Sequence, residues 1–243
     1  SKAGSGEYDG DDRVIGFPNG YEIDGDLLFT VGWGDGFAVR RLNNDGTLTK
    51  IFHDNNFLWR DTGSTYNHLQ SVALDTVNKK GVVMTYNVNG YTTFDYSGCL
   101  NGGTTFVKDP RPSHSNPQYF MGSSNTSGDT IRRVGTSYTS GLVAAGQWIY
   151  AGEHNARHYK KLMRRTVSGT EEILDMTSSS VYKSGTSPID RNGYRQCLFY
   201  DEINDRVFWF PFYNAMFTVV EDASTASPRT IWCDVGDTGE GDD

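Results

Sequence analysis

Long apolar runs are missing from this sequence, so nothing in it approaches the roughly 20 consecutive apolar residues that a membrane-crossing helix needs. No membrane partner is therefore expected. Cysteine is scarce. Cys99, Cys197 and Cys233 stand far apart with no C-x-x-C pair, and an odd number cannot complete a disulfide framework. Small buried or half-buried thiols in a reducing compartment are the expectation. Positive charge is short: 22 Lys and Arg against 30 Asp and Glu leave a net charge of −8. Such a chain gains nothing from a polyanionic backbone, which excludes nucleic acid as a general partner. Walker, Rossmann and G-x-S-x-G signatures are absent, so no cofactor is expected. The start, Ser1 to Gly6, lacks the apolar middle of a signal peptide and reads as the N-terminus left after loss of an initiator Met.

Hydrophobic residues reach only 36%, yet aromatics reach 13%. The core must therefore rest on Tyr, Phe and Trp, each of which removes a large area from water. Glycine (28) far outnumbers proline (7), which implies many tight turns. Tyr, Thr, Val, Phe and Trp suit a pleated, half-buried surface, so the expected class is all-β with many short strands and almost no helix.

A repeat lies beneath variable spacing. The stretch from Ala73 to Val83 matches that from Phe199 to Trp209: apolar strand, Asp75 or Asp201, a polar turn holding Asn78 or Asn204, a basic residue, then a second apolar strand. Asp and Asn side chains bond turn amides, which is why they sit there. Strand–turn–strand units recur four times, from Phe37 to Phe52, Tyr91 to Val107, Tyr159 to Leu174, and Phe217 to Trp232, at a period of roughly 60 residues. A more apolar strand precedes each: Leu27 to Val31, Val82 to Tyr86, Trp148 to Ala151, Val207 to Phe212. Such a strand is expected nearest the axis of a propeller, covered on both faces. The Asp-then-Trp hairpin resembles single blades of the YWTD and NHL propeller families, which implies a fold and not a function. We therefore expect a β-propeller-like body of about four blades of antiparallel strands, over residues 13–236. An acidic, Gly-rich arm (1–12) precedes it and an acidic tail (237–243) follows. An irregular β-sandwich is the alternative topology.

Several residues invite a chemical reading. Glu153, His154 and His158 suggest a zinc site, but the order is not H-E-x-x-H, and on a strand the two histidines stand about 13 Å apart. No metal is expected. Asp75 and Asp201 could pass for a glycosidase carboxylate pair, but residues that recur once per repeat serve the turn. The S-x-D-x-G-x-T-W box of sialidase-like propellers is missing, and Ser127 to Thr130 match it only superficially. Asp24-Gly25-Asp26 and Asp9 to Asp12 carry calcium-type oxygens without a complete EF-hand loop. No catalytic residue is assigned, and the expectation is a chain that is not an enzyme.

Two sets of residues suit partner binding. Arg157, Lys160, Lys161, Arg164 and Arg165 concentrate positive charge in an acidic chain and are read as a docking surface for acidic segments. Trp33, Trp59, Tyr66 and Tyr119 lie near Gly-rich or polar turns, where aromatics stack on sugars or anchor protein contacts. In overall texture, with Tyr, Thr, Asn, Gly and Asp in many hairpins, the chain resembles structural proteins of tailed bacteriophages, of the tail, fibre or baseplate type. That resemblance implies a virion location and a role in particle assembly or host attachment. The implied partners are other virion proteins, in a homo-oligomer or hetero-assembly, and a host-surface glycan. A carbohydrate-binding or glycan-processing propeller is the alternative function.

Overall fold

The computed structural model describes residues 18–32, 36–54, 69–85, 91–109, 133–134, 142–154, 162–169, 172–174, 197–210 and 216–234. The strands in chain order are β1 (Pro18–Asp24), β2 (Leu27–Gly32), β3 (Gly36–Leu42), β4 (Leu48–Asp54), β5 (Leu69–Asp75), β6 (Lys80–Thr85), β7 (Tyr91–Asp95), β8 (Val107–Lys108) and β9 (Arg133–Val134). There follow β10 (Val143–Ala145), β11 (Trp148–His154), β12 (Leu162–Arg165), β13 (Glu172–Leu174), β14 (Cys197–Asp201), β15 (Arg206–Phe210), β16 (Met216–Glu221) and β17 (Arg229–Asp234). A short 3-10 segment, Ser97–Gly102, lies between β7 and β8.

The chain is all-β. Four antiparallel sheets follow one another as up-and-down meanders, β1 to β4, β5 to β8, β10 to β13 and β14 to β17, with β9 pairing to the far end of β11. These four sheets are the blades of a propeller-like series, and the four strand–turn–strand units of the sequence supply their third and fourth strands. The first strands form the inner row: β1 packs on β5, β5 on β10, and β10 on β14. Among the described residues β14 does not pack on β1 in the same way. This corrects the expectation that the most apolar strand lies nearest the axis. In blade 2 the second strand is apolar because neighbouring blades cover both its faces. Val83 belongs to the core shared with blade 1, and Val82 to the core shared with blade 3.

The period of two along each strand distributes these faces. Between blades 1 and 2, Phe29, Phe37, Val39, Leu74, Phe94 and Tyr96 close a core. There Phe29 meets Tyr96 edge-on at 4.9 Å, and Phe37 lies 5.1 Å from Phe94. Blades 2 and 3 meet through smaller or flexible side chains, including Ala73, Met84, Ile149, Ala151 and Met163. Trp148, Tyr150, Leu162, Val207 and Trp209 close blade 3 on blade 4. Each fully buried side chain of this size is worth about 1.5–3 kcal/mol relative to exposure. Gly81 stands directly across from Phe94, and a Cβ there would overlap that ring, so only glycine admits the aromatic.

Turn chemistry reveals a second level of repetition. Blades 1 and 3 join their first two strands through Gly25 and Gly146, each at φ +60°. Blades 2 and 4 instead use the Asp turn: Asp75 accepts from the amides of Val77 and Asn78 and from the Asn78 side chain, and Asp201 does the same for Ile203 and Asn204. The next residue is left-handed in both, Lys79 at φ 57° and Asp205 at φ 50°. Its carbonyl accepts from the Tyr96 amide in blade 2 and the Ala223 amide in blade 4. In turn chemistry blade 1 therefore corresponds to blade 3 and blade 2 to blade 4, a two-blade alternation carried twice.

Candidate functional site

The up-and-down topology gives the blades two unlike ends. At one end sit the turns within each strand pair, β1–β2 and β3–β4 and their counterparts. At the other end the chain leaves each second strand for the third, and each blade for the next.

The turn end is locked by side chains that cross from blade to blade. Asp24, at the end of β1, accepts from Lys79 Nζ at 2.7 Å and from the Tyr96 hydroxyl at 2.8 Å. Burial, reinforced by this bond to Asp24, pushes the Tyr96 phenol above its ordinary range. Arg41, at the end of β3, donates to the carbonyls of Cys99 and Gly103 in the loop of blade 2, and pairs with Asp26 at 2.8 Å. Arg164 does the equivalent work in the second half. Its guanidinium donates to the carbonyls of Thr225 and Ala226 at 2.7 and 2.9 Å, pairs with Glu172 at 2.8 Å, and lies 3.9 Å over the Trp148 ring. Arginine's planar fork suits two carbonyls at once. The Tyr150 hydroxyl donates to the Ala223 carbonyl at 2.6 Å, and burial pushes that phenol up to about 12.

One group at this seam has no such support. Glu22 faces blade 2 directly across from Phe29, and its carboxyl has no hydrogen-bond partner among the described residues. Burial alone pushes its pKa up to about 7. Asp24 lies beside it on the same face, and Tyr96, Asp75 and Lys79 face it from blade 2.

The opposite end carries cross-blade contacts as well. Lys108 pairs with Asp54 at 2.9 Å across blades 1 and 2. The Leu142 amide donates to the Ser71 hydroxyl at 3.0 Å across blades 2 and 3. His154 closes β11 opposite Arg133. His158 lies outside the described residues, and among the described residues no group of three or more His, Cys, Asp or Glu could hold a metal ion.

Arg164 leaves the docking set proposed from sequence. Its side chain is 1% exposed and its charge is engaged inside the fold, so it cannot meet a partner. Arg165 is half-buried and donates to the carbonyls of Thr166 and Val167. Arg157, Lys160 and Lys161 lie outside the described residues, as do Trp33, Trp59, Tyr66 and Tyr119. In sequence these seven fall between strands rather than within them. The expected turn role of Asp75 and Asp201 is met: each caps its own turn, and hydrogen bonding, first from the Asn204 side chain, holds Asp201 below the ordinary carboxylate range. Sequence reasoning missed Glu22, Arg41 and Tyr96, and noted Asp24 only for its calcium-type oxygens. The signal that could have found them was charge inside otherwise apolar strand pairs.

No protein-family model matches the chain, and no curated protein matches it. Solved structures do resemble it. A putative 6-phosphogluconolactonase from Bacteroides uniformis is similar at 11% identity and TM-score 0.47, over 90% of this chain and 57% of the other. The periplasmic gluconolactonase PpgL of Pseudomonas aeruginosa is similar at 12% identity and TM-score 0.43, over 87% and 52%. The Cps50 (Swd1) β-propeller domain of Myceliophteria thermophila is similar at 10% identity and TM-score 0.38, over 88% and 50%. The chain thus spans between half and three-fifths of these structures. The expectation that the chain is not an enzyme is withdrawn, because proteins named as gluconolactonase or putative 6-phosphogluconolactonase are among the structures it resembles. Blade arrays draw functional groups from separate connections, so a missing contiguous motif excludes no activity.

Proposed function

We propose that the chain is an assembly or host-attachment module of a virion, in which four braced blades present one end to other virion proteins or to a host-surface glycan. The repeated hairpins, braced across the blades by side chains, support this reading, together with aromatic and basic residues that the sequence places between strands rather than within them. Rigid elements that carry recognition residues on their connections are a recurrent design, because the scaffold bears the cost of order.

The test is incorporation. Reversing Arg157, Lys160 and Lys161 to Glu should leave the fold intact and reduce recovery of the chain with its particle, with a larger loss at low salt, where screening is weak. Normal recovery of that variant at low and high salt would remove the basic segment from the interface. A chain that co-purifies with no particle component would remove the virion reading altogether.

A second reading, a carbohydrate-binding or glycan-processing propeller, is favoured by the aromatics Trp33, Trp59, Tyr66 and Tyr119 that the sequence places between strands, since aromatic faces stack on sugar rings. A glycan array distinguishes it from protein assembly, and turnover of a bound glycan distinguishes processing from binding.

A further inference from the structure

We propose that this chain associates head to tail with a second copy of itself, the outer face of blade 4 in one copy packing on the outer face of blade 1 in the next. The inference does not depend on the virion reading.

The two-blade alternation described above identifies these two faces. Superposing the Asp75 and Asp201 turns places Phe199 at the position of Ala73, and Phe208 at that of Val82. Ala73 and Val82 are buried where blade 2 packs on blade 3. Superposing Gly25 and Gly146 places Tyr21 at the position of Leu142, and Ile23 at that of Ala144, which receive blade 2 in that same interface. The outer faces of blades 4 and 1 are thus the two halves of the central interface, carried a second time. Among the described residues of one chain, β14 and β1 do not meet as the other first strands do.

Exposure confines the contact to the inner strands. Tyr21 is 66% exposed, Ile23 59% and Phe199 57%. Farther out on blade 1, Thr30, Ala38 and Arg40 are already covered. Inner strands meet at each internal blade contact, β1 on β5, β5 on β10 and β10 on β14. The Phe199 ring extends over Phe208 at 6.3 Å, and Phe217 continues the aromatic row at 6.4 Å. Such a row beside exposed apolar residues marks a contact surface. The contact is heterologous, one face meeting a different face, so it closes into a ring or propagates according to the rotation it imposes.

Sedimentation velocity of the purified chain tests this directly. The expected result is a concentration-dependent species of two or more chains. Phe199→Glu and Ile23→Glu should each yield single chains with unchanged circular dichroism and melting, because both positions are exposed; Phe199→Ser and Ile23→Thr serve as milder versions if folding suffers. Mixing Phe199→Glu with Ile23→Glu leaves one intact contact, so the mixture should form a pair that neither variant forms alone. A wild-type chain that sediments singly at all concentrations overturns the proposal. So does association that survives either substitution, or a mixture that stays as single chains.

Discussion

Glu22 ties one residue to a measurable pH dependence. Its carboxyl titrates from about 4.5 when unfolded to about 7 when folded, so the folded chain binds the proton more tightly. The stability this provides is fully present below about pH 4.5 and is lost as pH rises through 7. Glu22→Gln should flatten the stability profile across that window and raise stability at pH 8 by on the order of 2–3 kcal/mol, as read by denaturant melts. Arg164 lies at the other extreme, charged and fully engaged. Arg164→Met should cost roughly 2–4 kcal/mol, because the Thr225 and Ala226 carbonyls lose a charged donor. Trp209 is fully buried in the core between blades 3 and 4, and Trp209→Ala should cost about 3–5 kcal/mol. A cost below about 1 kcal/mol would contradict its core position.

Among the elements, hairpins were the most legible part of the sequence. The Asp75 and Asp201 turns announce themselves because their chemistry is local, with donor and acceptor only a few residues apart. Asp75 is buried and Asp201 is half-buried. Asp75→Ala should therefore cost about 1–3 kcal/mol, more than Asp201→Ala in the same melt. The inner strands were harder to read. β1 and β5 carry Glu22, Asp24, Ser71 and Asp75 and lack the unbroken apolar run that made β6 and β15 conspicuous, so apolarity pointed to the wrong strand. Arg164 also escaped, since its partners lie far along the chain and it looks like one more cation in a basic segment. Gly81 is the reverse case, a glycine in a strand whose reason appears only with Phe94 above it. Gly81→Ala should cost about 1–3 kcal/mol by displacing that ring.

At the scale of the molecule, the seams differ. Blade 1 is tied to blade 2 by Asp24, Lys79, Tyr96 and Arg41, and blade 3 to blade 4 by Tyr150 and Arg164. Blade 2 meets blade 3 through small and flexible side chains and the Leu142–Ser71 bond. Native-state hydrogen exchange should therefore resolve two cooperative halves, with amides along β10 and the start of β5 opening at lower free energy than those of β2 or β15. Uniform protection across all four blades would refute this division. The arginine ties also impose an order on synthesis. Their carbonyl acceptors lie 58 to 62 residues downstream of Arg41 and Arg164, whereas each meander pairs only with its immediate neighbours. At about 5–20 residues per second, an odd-numbered blade can form its own sheet and then wait roughly 2–10 s before the ribosome delivers the loop that its arginine will hold. During that wait the nascent chain shows water a guanidinium, which hydrates readily, at the place where the next blade will dock.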